Sequence, residues 1–329
     1  MLELKKIPYA TRILAIFVFA FLIVGLNYLI PAISATPNLI RPIPINDSDN
    51  TPLPQSEPQE APQTSQENDK QETVTTHFVA IGDTGSGVSF QTDIAKQLEM
   101  LQKENGFQTL LLLGDIIYPY GDWPKDGERL FTQVYQPLMD AGVNMRVVLG
   151  NHDVAHGYIE GTTEFYKMPG RYYRFSEPNI DFFAIDTNLM NDTEQLAWLD
   201  TELGKSTAPW KIVFAHHPIY SSGVHLSNKT LQQKLEPLLI QHQVDLYLAG
   251  HDHDYERFKA INGVNHIVSG GGGAYLRDFK TPEKHSLVRK KAHHFMSFSV
   301  TATAMAIQAI DKTGTVIDNV TYTKSAEQN

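Results

Sequence analysis

Five short segments of this 329-residue chain place a carboxylate, amide or imidazole group directly after an apolar run. They are Gly82-Asp83-Thr84-Gly85, Gly114-Asp115-Ile116-Ile117-Tyr118, Gly150-Asn151-His152-Asp153, His216-His217-Pro218 and Gly250-His251-Asp252-His253. Taken singly, each has a duller explanation, since an Asp after a strand often only caps a turn. Taken together they do not: three of the five carry histidine, with the residue types and spacing of metal ligands. Imidazole, carboxylate and amide oxygen without thiolate suit Fe, Mn or Zn better than Ca or Cu(I).

The elements that must position these groups are legible around them. Apolar runs at Phe78–Ile81, Leu110–Leu113, Arg146–Leu149, Phe182–Ile185, Ile212–Ala215 and Val244–Leu248 read as strands buried on both faces. Helical spacing of apolar residues covers Phe90–Gln102, Glu128–Leu138, Thr193–Leu203 and Thr230–Gln241, with Asp192 or Thr193 as an N-cap. Later segments read as antiparallel: Phe298–Ile310 is rich in Thr, Val and Ala, and Asp311-Lys312-Thr313-Gly314 turns into Val316–Tyr322. The pattern predicts an α/β domain with two packed sheets. Ligands of such sheets gather at the carboxyl ends of strands, so the five segments should converge on one crevice. The glycine run 270–273 lacks the Lys-Ser/Thr of a phosphate cradle and reads as a tight loop near that crevice.

The first 72 residues differ from the rest. Ile13 to Ile30 carries no charge, and eighteen helical residues span roughly 27 Å, close to a bilayer's hydrocarbon thickness. Lys5, Lys6 and Arg12 precede it and no base follows until Arg41, which puts the N-terminus in the cytoplasm and the remainder outside. Its length favours an uncleaved anchor over a signal peptide cut near Ala32-Ile33-Ser34-Ala35, whose cleavage would release a secreted form. Residues 31–72 read as a polar, Pro-rich tether with net charge −5, leaving −7 for the domain at 73–329. Without a basic stripe, nucleic acid is not an expected partner. The chain has no cysteine, which excludes disulfides, thiolate zinc sites and iron–sulfur clusters and suits a bacterial envelope.

The five segments resemble the metallophosphoesterase superfamily, and within it the purple acid phosphatases of the short, single-domain tartrate-resistant type. That group's pattern of GDxG, GDxxY, GNH(D/E), VxxH and GHxH runs in order from Asp83 to His253, with Val213-Phe214-Ala215-His216 as the fourth block. The similarity extends to Tyr172-Tyr173, Asp186-Thr187 and Ser269 to Gly273. The resemblance implies a four-layer αββα sandwich of two mixed sheets with the metal site at the C-terminal ends of strands. It implies Fe(III) on Asp83, Asp115, Tyr118 and His253, and a divalent Fe, Zn or Mn on Asp115, Asn151, His216 and His251. Where most of the superfamily has a liganding histidine in the first block, this chain has Gly85; Tyr118 supplies the compensating phenolate.

The implied activity is hydrolysis of phosphate monoesters by a metal-bound hydroxide, with a phosphorylated small molecule as substrate. His152 and His225 are the implied catalytic histidines. Adjacent strand residues face opposite ways, so of His216 and His217 only one ligates directly. His217 is then expected behind the ligands or in the substrate pocket. A phosphodiesterase or nucleotide pyrophosphohydrolase would differ in loops rather than ligands, and a non-catalytic scaffold would show eroded ligands.

Overall fold

The structure, a computed structural model, describes residues 74–325. The expected membrane helix at 13–30 and the tether at 31–72 lie outside the described residues. Among those described, no helix is long and apolar enough to cross a membrane.

Thirteen strands form two sheets among the described residues. The first sheet joins β1 (Thr76–Ile81), β2 (Thr109–Leu112), β3 (Asn144–Val147), β11 (His294–Val300), β12 (Ala304–Asp311) and β13 (Val316–Thr323), in the order β13-β12-β11-β1-β2-β3. Its β1, β2 and β3 are parallel, and β11 pairs antiparallel with β1. The second sheet has the order β10-β8-β9-β7-β6-β5-β4. Its parallel centre is β5 (Ile180–Ala184), β6 (Trp210–Phe214), β7 (Leu246–Ala249) and β9 (Asn265–Ser269), flanked by β4 (Tyr173–Glu177), β8 (Tyr255–Phe258) and β10 (Ser286–Lys290).

Alternation along the strands explains the layering. Phe78 and Ala80 of β1 point to the second sheet, while Val79 and Ile81 point to the helices, and all four are fully buried. Between the sheets, Phe78 stacks on Phe298 at 4.2 Å and meets Phe182 edge-on at 5.0 Å. The outer face of the first sheet is covered by α1 (Ser89–Asn105) and by a π-helical stretch, Trp123–Thr132, that runs into α2 (Gln133–Asp140). Two short helices, α3 (Asn151–Val154) and α4 (Ile159–Phe165), follow β3. The second sheet is covered by α5 (Thr193–Lys205), α6 (Lys229–Lys234) and α7 (Glu236–Gln241). This is the αββα sandwich. Asp192 caps α5 by accepting from the amides of Glu194 and Gln195.

Three expectations need correction. Phe298–Ile310 is not one extended segment: β11 ends at Val300, and the Thr301 amide donates to the Ala304 carbonyl to close a hairpin. Helix 230–241 is two short helices, because Pro237 opens α7 and has no amide to continue α6. The helix at 128–138 begins five residues earlier, at Trp123, where Asp122 accepts from the Lys125 amide.

Candidate metal centre

The five loops follow β1, β2, β3, β6 and β7, all strands from the parallel parts of the two sheets. Asp83, Asp115 and His251 each leave the strand in the left-handed region, with φ of 60°, 53° and 71°. That conformation costs on the order of 1 kcal/mol or more per residue and swings each side chain into the crevice. Hydrogen bonds between loops hold it there. Asp83 Oδ2 accepts from the His251 amide at 2.8 Å, and Asp115 Oδ1 accepts from the His152 amide at 2.9 Å. Each carboxylate therefore has one oxygen fixed by backbone and the other turned to the crevice. The loops approach so closely that a Cβ on Gly150 would collide with the Asp115 carboxylate, and one on Gly85 with the Ile116 carbonyl. Gly85 is thus required by packing as well as lacking a ligand.

Two donor sets result. In the first, the Tyr118 hydroxyl lies 3.0 Å from Asp83 Oδ1, 3.0 Å from Asp115 Oδ2 and 3.1 Å from His253 Nε2. In the second, His216 Nε2 lies 3.1 Å from Asn151 Oδ1, 3.1 Å from His251 Nδ1 and 3.4 Å from Asp115 Oδ2. Asp115 Oδ2 belongs to both. An ion with bonds of about 2.1 Å holds adjacent octahedral ligands about 3.0 Å apart, so both spacings fit a metal. They fit protein-only hydrogen bonding poorly. One phenolic hydrogen cannot serve two carboxylates and an imidazole, and two facing imidazole nitrogens share at most one proton.

The outer partners fix the tautomers. His253 Nδ1 donates to the Tyr275 carbonyl at 2.8 Å and His216 Nδ1 to the Leu113 carbonyl at 2.9 Å, which leaves each Nε2 lone pair for the crevice. His152 Nδ1 donates to the Pro119 carbonyl at 2.6 Å, and its Nε2 lies 4.0 Å from Asp115 Oδ2. Asp153, fully buried, accepts from the amides of Ile116, Ile117 and Gly150, tying the second loop to the third. Asp252 accepts from Ser221 Oγ and from the His225 amide, tying the fourth loop to the fifth.

Protons and cations compete here. Burial opposes charge on His216, but the Asp115 and Asp83 carboxylates outweigh it and hold the imidazole up to about 10. Burial and the same two carboxylates push the Tyr118 phenol well up. His251 is driven down by burial and by the surrounding histidines. A cation between the carboxylates would offset their contribution to both upward shifts, so metal binding here would release protons.

The candidate metal ligands and the candidate histidines named from the sequence lie in or against this crevice. His217 lies beside the candidate ligands. The strand β6 ends at Phe214, so alternation no longer governs residues 216 and 217. The His217 ring sits 4.4 Å from that of His251, and its Nδ1 bonds Thr187 Oγ1 at 2.8 Å. His216, His217 and His251 bring ligand nitrogens within 4.8 Å of one another. His225 stacks on His251 with ring centres 4.0 Å apart, but its Nε2 is covered by the Arg277 guanidinium. Arg277, Asp153 and Asp252 were not singled out from the sequence. Asp153 and Asp252 sit inside the motifs, whereas Arg277 carries no signal beyond its place just after the glycine run.

The model of the calcineurin-like phosphoesterase family matches residues 76–255, more than half of the chain. Tartrate-resistant acid phosphatase type 5 of Sus scrofa is 28% identical over 263 residues, covering 67% of this chain and 75% of that protein. Purple acid phosphatase 4 of Arabidopsis thaliana is also 28% identical, covering 72% of this chain and 80% of its own. Among solved structures, purple acid phosphatase PPD1 from yellow lupin superposes with a TM-score of 0.68 at 20% identity, over 77% of this chain and 54% of that one. GAP50, described as the anchor in the inner membrane complex of Plasmodium, superposes with a TM-score of 0.70 at 22% identity, over 77% and 90%. At these identities the structures speak for the fold alone, and one fold evidently serves both a phosphatase and an anchor. With the family model spanning all five loops, the chain belongs to the calcineurin-like phosphoesterase family, with purple acid phosphatases among its relatives.

Proposed function

We propose that this chain is a dinuclear metal-dependent phosphatase that hydrolyses phosphate monoesters. The observation that carries the reading is the single oxygen, Asp115 Oδ2, common to two complete donor sets. A scaffold that had lost catalysis would have no reason to keep both. Fe(III) would be held by Asp83, Asp115, Tyr118 and His253, because a hard anionic phenolate favours a trivalent ion. A divalent Fe, Zn or Mn would be held by Asp115, Asn151, His216 and His251. Such ions, when bound, supply acidified water and offset charge on the phosphoryl oxygens.

The chain's own residues do the rest. His152, aimed by its bond to the Pro119 carbonyl, holds a phosphoryl oxygen or gives its Nε2 proton to the leaving alcohol. The Asp153 and Asp252 carboxylates keep the loops in register by holding backbone amides. His217, anchored on Thr187, narrows the wall beside His251.

The reading extends to the organisation of the chain. Residues 1–30 would carry the chain across a membrane, 31–72 would act as a tether and 73–329 as the catalytic domain outside the cytoplasm. Support for this part is the sequence pattern alone, and N-terminal sequencing of the mature protein separates an anchored from a cleaved form. The catalytic proposal is tested with the metal-loaded full chain on p-nitrophenyl phosphate and on bis(p-nitrophenyl) phosphate. The monoester should be preferred. A preference for the diester would replace the monoesterase reading by a phosphodiesterase, and no turnover of either would remove the enzyme.

A further inference from the structure

We propose that Arg277 is a phosphate-binding residue of this site and that His225 acts through it, as the positioning residue that aims the guanidinium. The inference rests on the phosphatase reading for its ligand class and on three observations of its own.

The first is the direction of the His225–Arg277 contact. Arginine has only donors, so where an Arg277 Nη1 hydrogen meets His225 Nε2, that nitrogen must accept. His225 in this arrangement has no Nε2 proton to give a substrate. The second is that Arg277 forms no ion pair: among the described residues no carboxylate lies within 4.0 Å of its guanidinium, and its other N–H donors have no partner. The neighbouring acid, Asp278, is taken by Lys291 at 2.6 Å. An arginine left unneutralised beside a site for dianions is available to one. The third is that its backbone is anchored to the centre. The Arg277 amide donates to the His253 carbonyl at 3.3 Å, His253 donates to the Tyr275 carbonyl, and Lys280 donates to the Ser222 carbonyl at 2.8 Å. The loop carrying Arg277 is therefore fastened to a metal-ligand residue on one side and to the His225 loop on the other. Since His225 stacks on His251, the guanidinium stands one ring away from the second donor set. A fork of donors there suits the dianion of a monoester or inorganic phosphate better than the single charge of a diester.

The test uses the metal-loaded full chain and inorganic phosphate, titrated by calorimetry, with metal content measured for every variant. Arg277→Gln should weaken phosphate binding about tenfold to a hundredfold at unchanged metal content. His225→Ala should give a comparable loss, and the double variant should be no worse than Arg277→Gln alone. His225→Gln keeps an acceptor for the guanidinium and should restore most of the affinity, which a proton-donating role would not allow. In turnover, Arg277→Gln should lower kcat/KM for p-nitrophenyl phosphate more than for the diester. Unchanged phosphate affinity in Arg277→Gln overturns the proposal. Additive losses, or no rescue by His225→Gln, overturn the positioning role. A wild type that binds phosphate yet turns over neither ester sinks the phosphatase reading and leaves the Arg277 titration decisive. A wild type that binds no phosphate sinks both.

Discussion

Removing the Asp153 carboxylate should destabilise the protein and loosen one half of the metal centre. The side chain is fully buried and accepts from Ile116 N at 2.8 Å, Ile117 N at 3.3 Å and Gly150 N at 2.8 Å. A buried donor left unsatisfied costs roughly 1–3 kcal/mol. With two well-formed bonds lost and one long one, Asp153→Ala should cost about 4 kcal/mol. Asp153→Asn keeps one oxygen for Ile116 and Ile117 but turns an amide donor toward Gly150 N, so about 2 kcal/mol is expected. Burial and the Asp115 charge push the Asp153 carboxyl up to about 7, which makes the neutral amide a fair mimic at and below that pH. Urea unfolding of the metal-free variants gives these differences without a contribution from bound ions. Metal titration then reads the functional consequence. The Gly150-Asn151-His152 turn is released in the Ala variant, so affinity for the second ion should fall at least about tenfold, as for other residues that orient ligands. A cost below about 1 kcal/mol for Asp153→Ala, or equal costs for Ala and Asn, would refute the reasoning.

Tyr118→Phe removes the donor at the centre of the first set, so affinity there should fall by more than the roughly tenfold to hundredfold lost with outer partners; with Fe(III) bound, a visible absorption band should vanish as well. His266 is 2% exposed with both ring nitrogens unpartnered, and burial, with help from His285, drives it down to about 3. Its unfolded value of about 6.5 is higher, so the unfolded chain takes up the proton first and stability falls as pH drops below 6.5; between pH 7 and 5 this group alone should cost about 2 kcal/mol. The loss should be absent in His266→Phe, and comparing urea midpoints of the two proteins at pH 7 and 5 isolates it from buried His294, which titrates in the same sense. Phe78→Ala empties the centre of the inter-sheet core and should cost about 3–5 kcal/mol by urea unfolding, with metal stoichiometry retained in the folded fraction.

The site was legible because its residues are local to strand ends. Each candidate ligand follows an apolar run by one to five residues, and a strand that is buried on both faces can present polar groups only where it stops. The sheet order was not legible. The sequence of neighbours β10-β8-β9-β7 depends on pairings far apart in the chain, and β10, Ser-Leu-Val-Arg-Lys, has an exposed edge with no apolar pattern to announce it. The break at Thr301–Thr303 was hidden because Thr and Ala suit either a strand or a tight hairpin. Arg277 was invisible, because its meaning lies in a contact with His225, 52 residues away.

The most direct test of the whole account is metal stoichiometry across three proteins: the wild-type full chain, Asn151→Ala and Asp115→Ala. If one carboxylate oxygen serves both donor sets, the wild type should hold two ions per chain, Asn151→Ala should keep only the tyrosine-bound one, and Asp115→Ala should hold neither firmly. A wild type that saturates at one ion, or an Asp115→Ala variant that still binds two, would contradict the shared-oxygen centre on which the proposed chemistry depends.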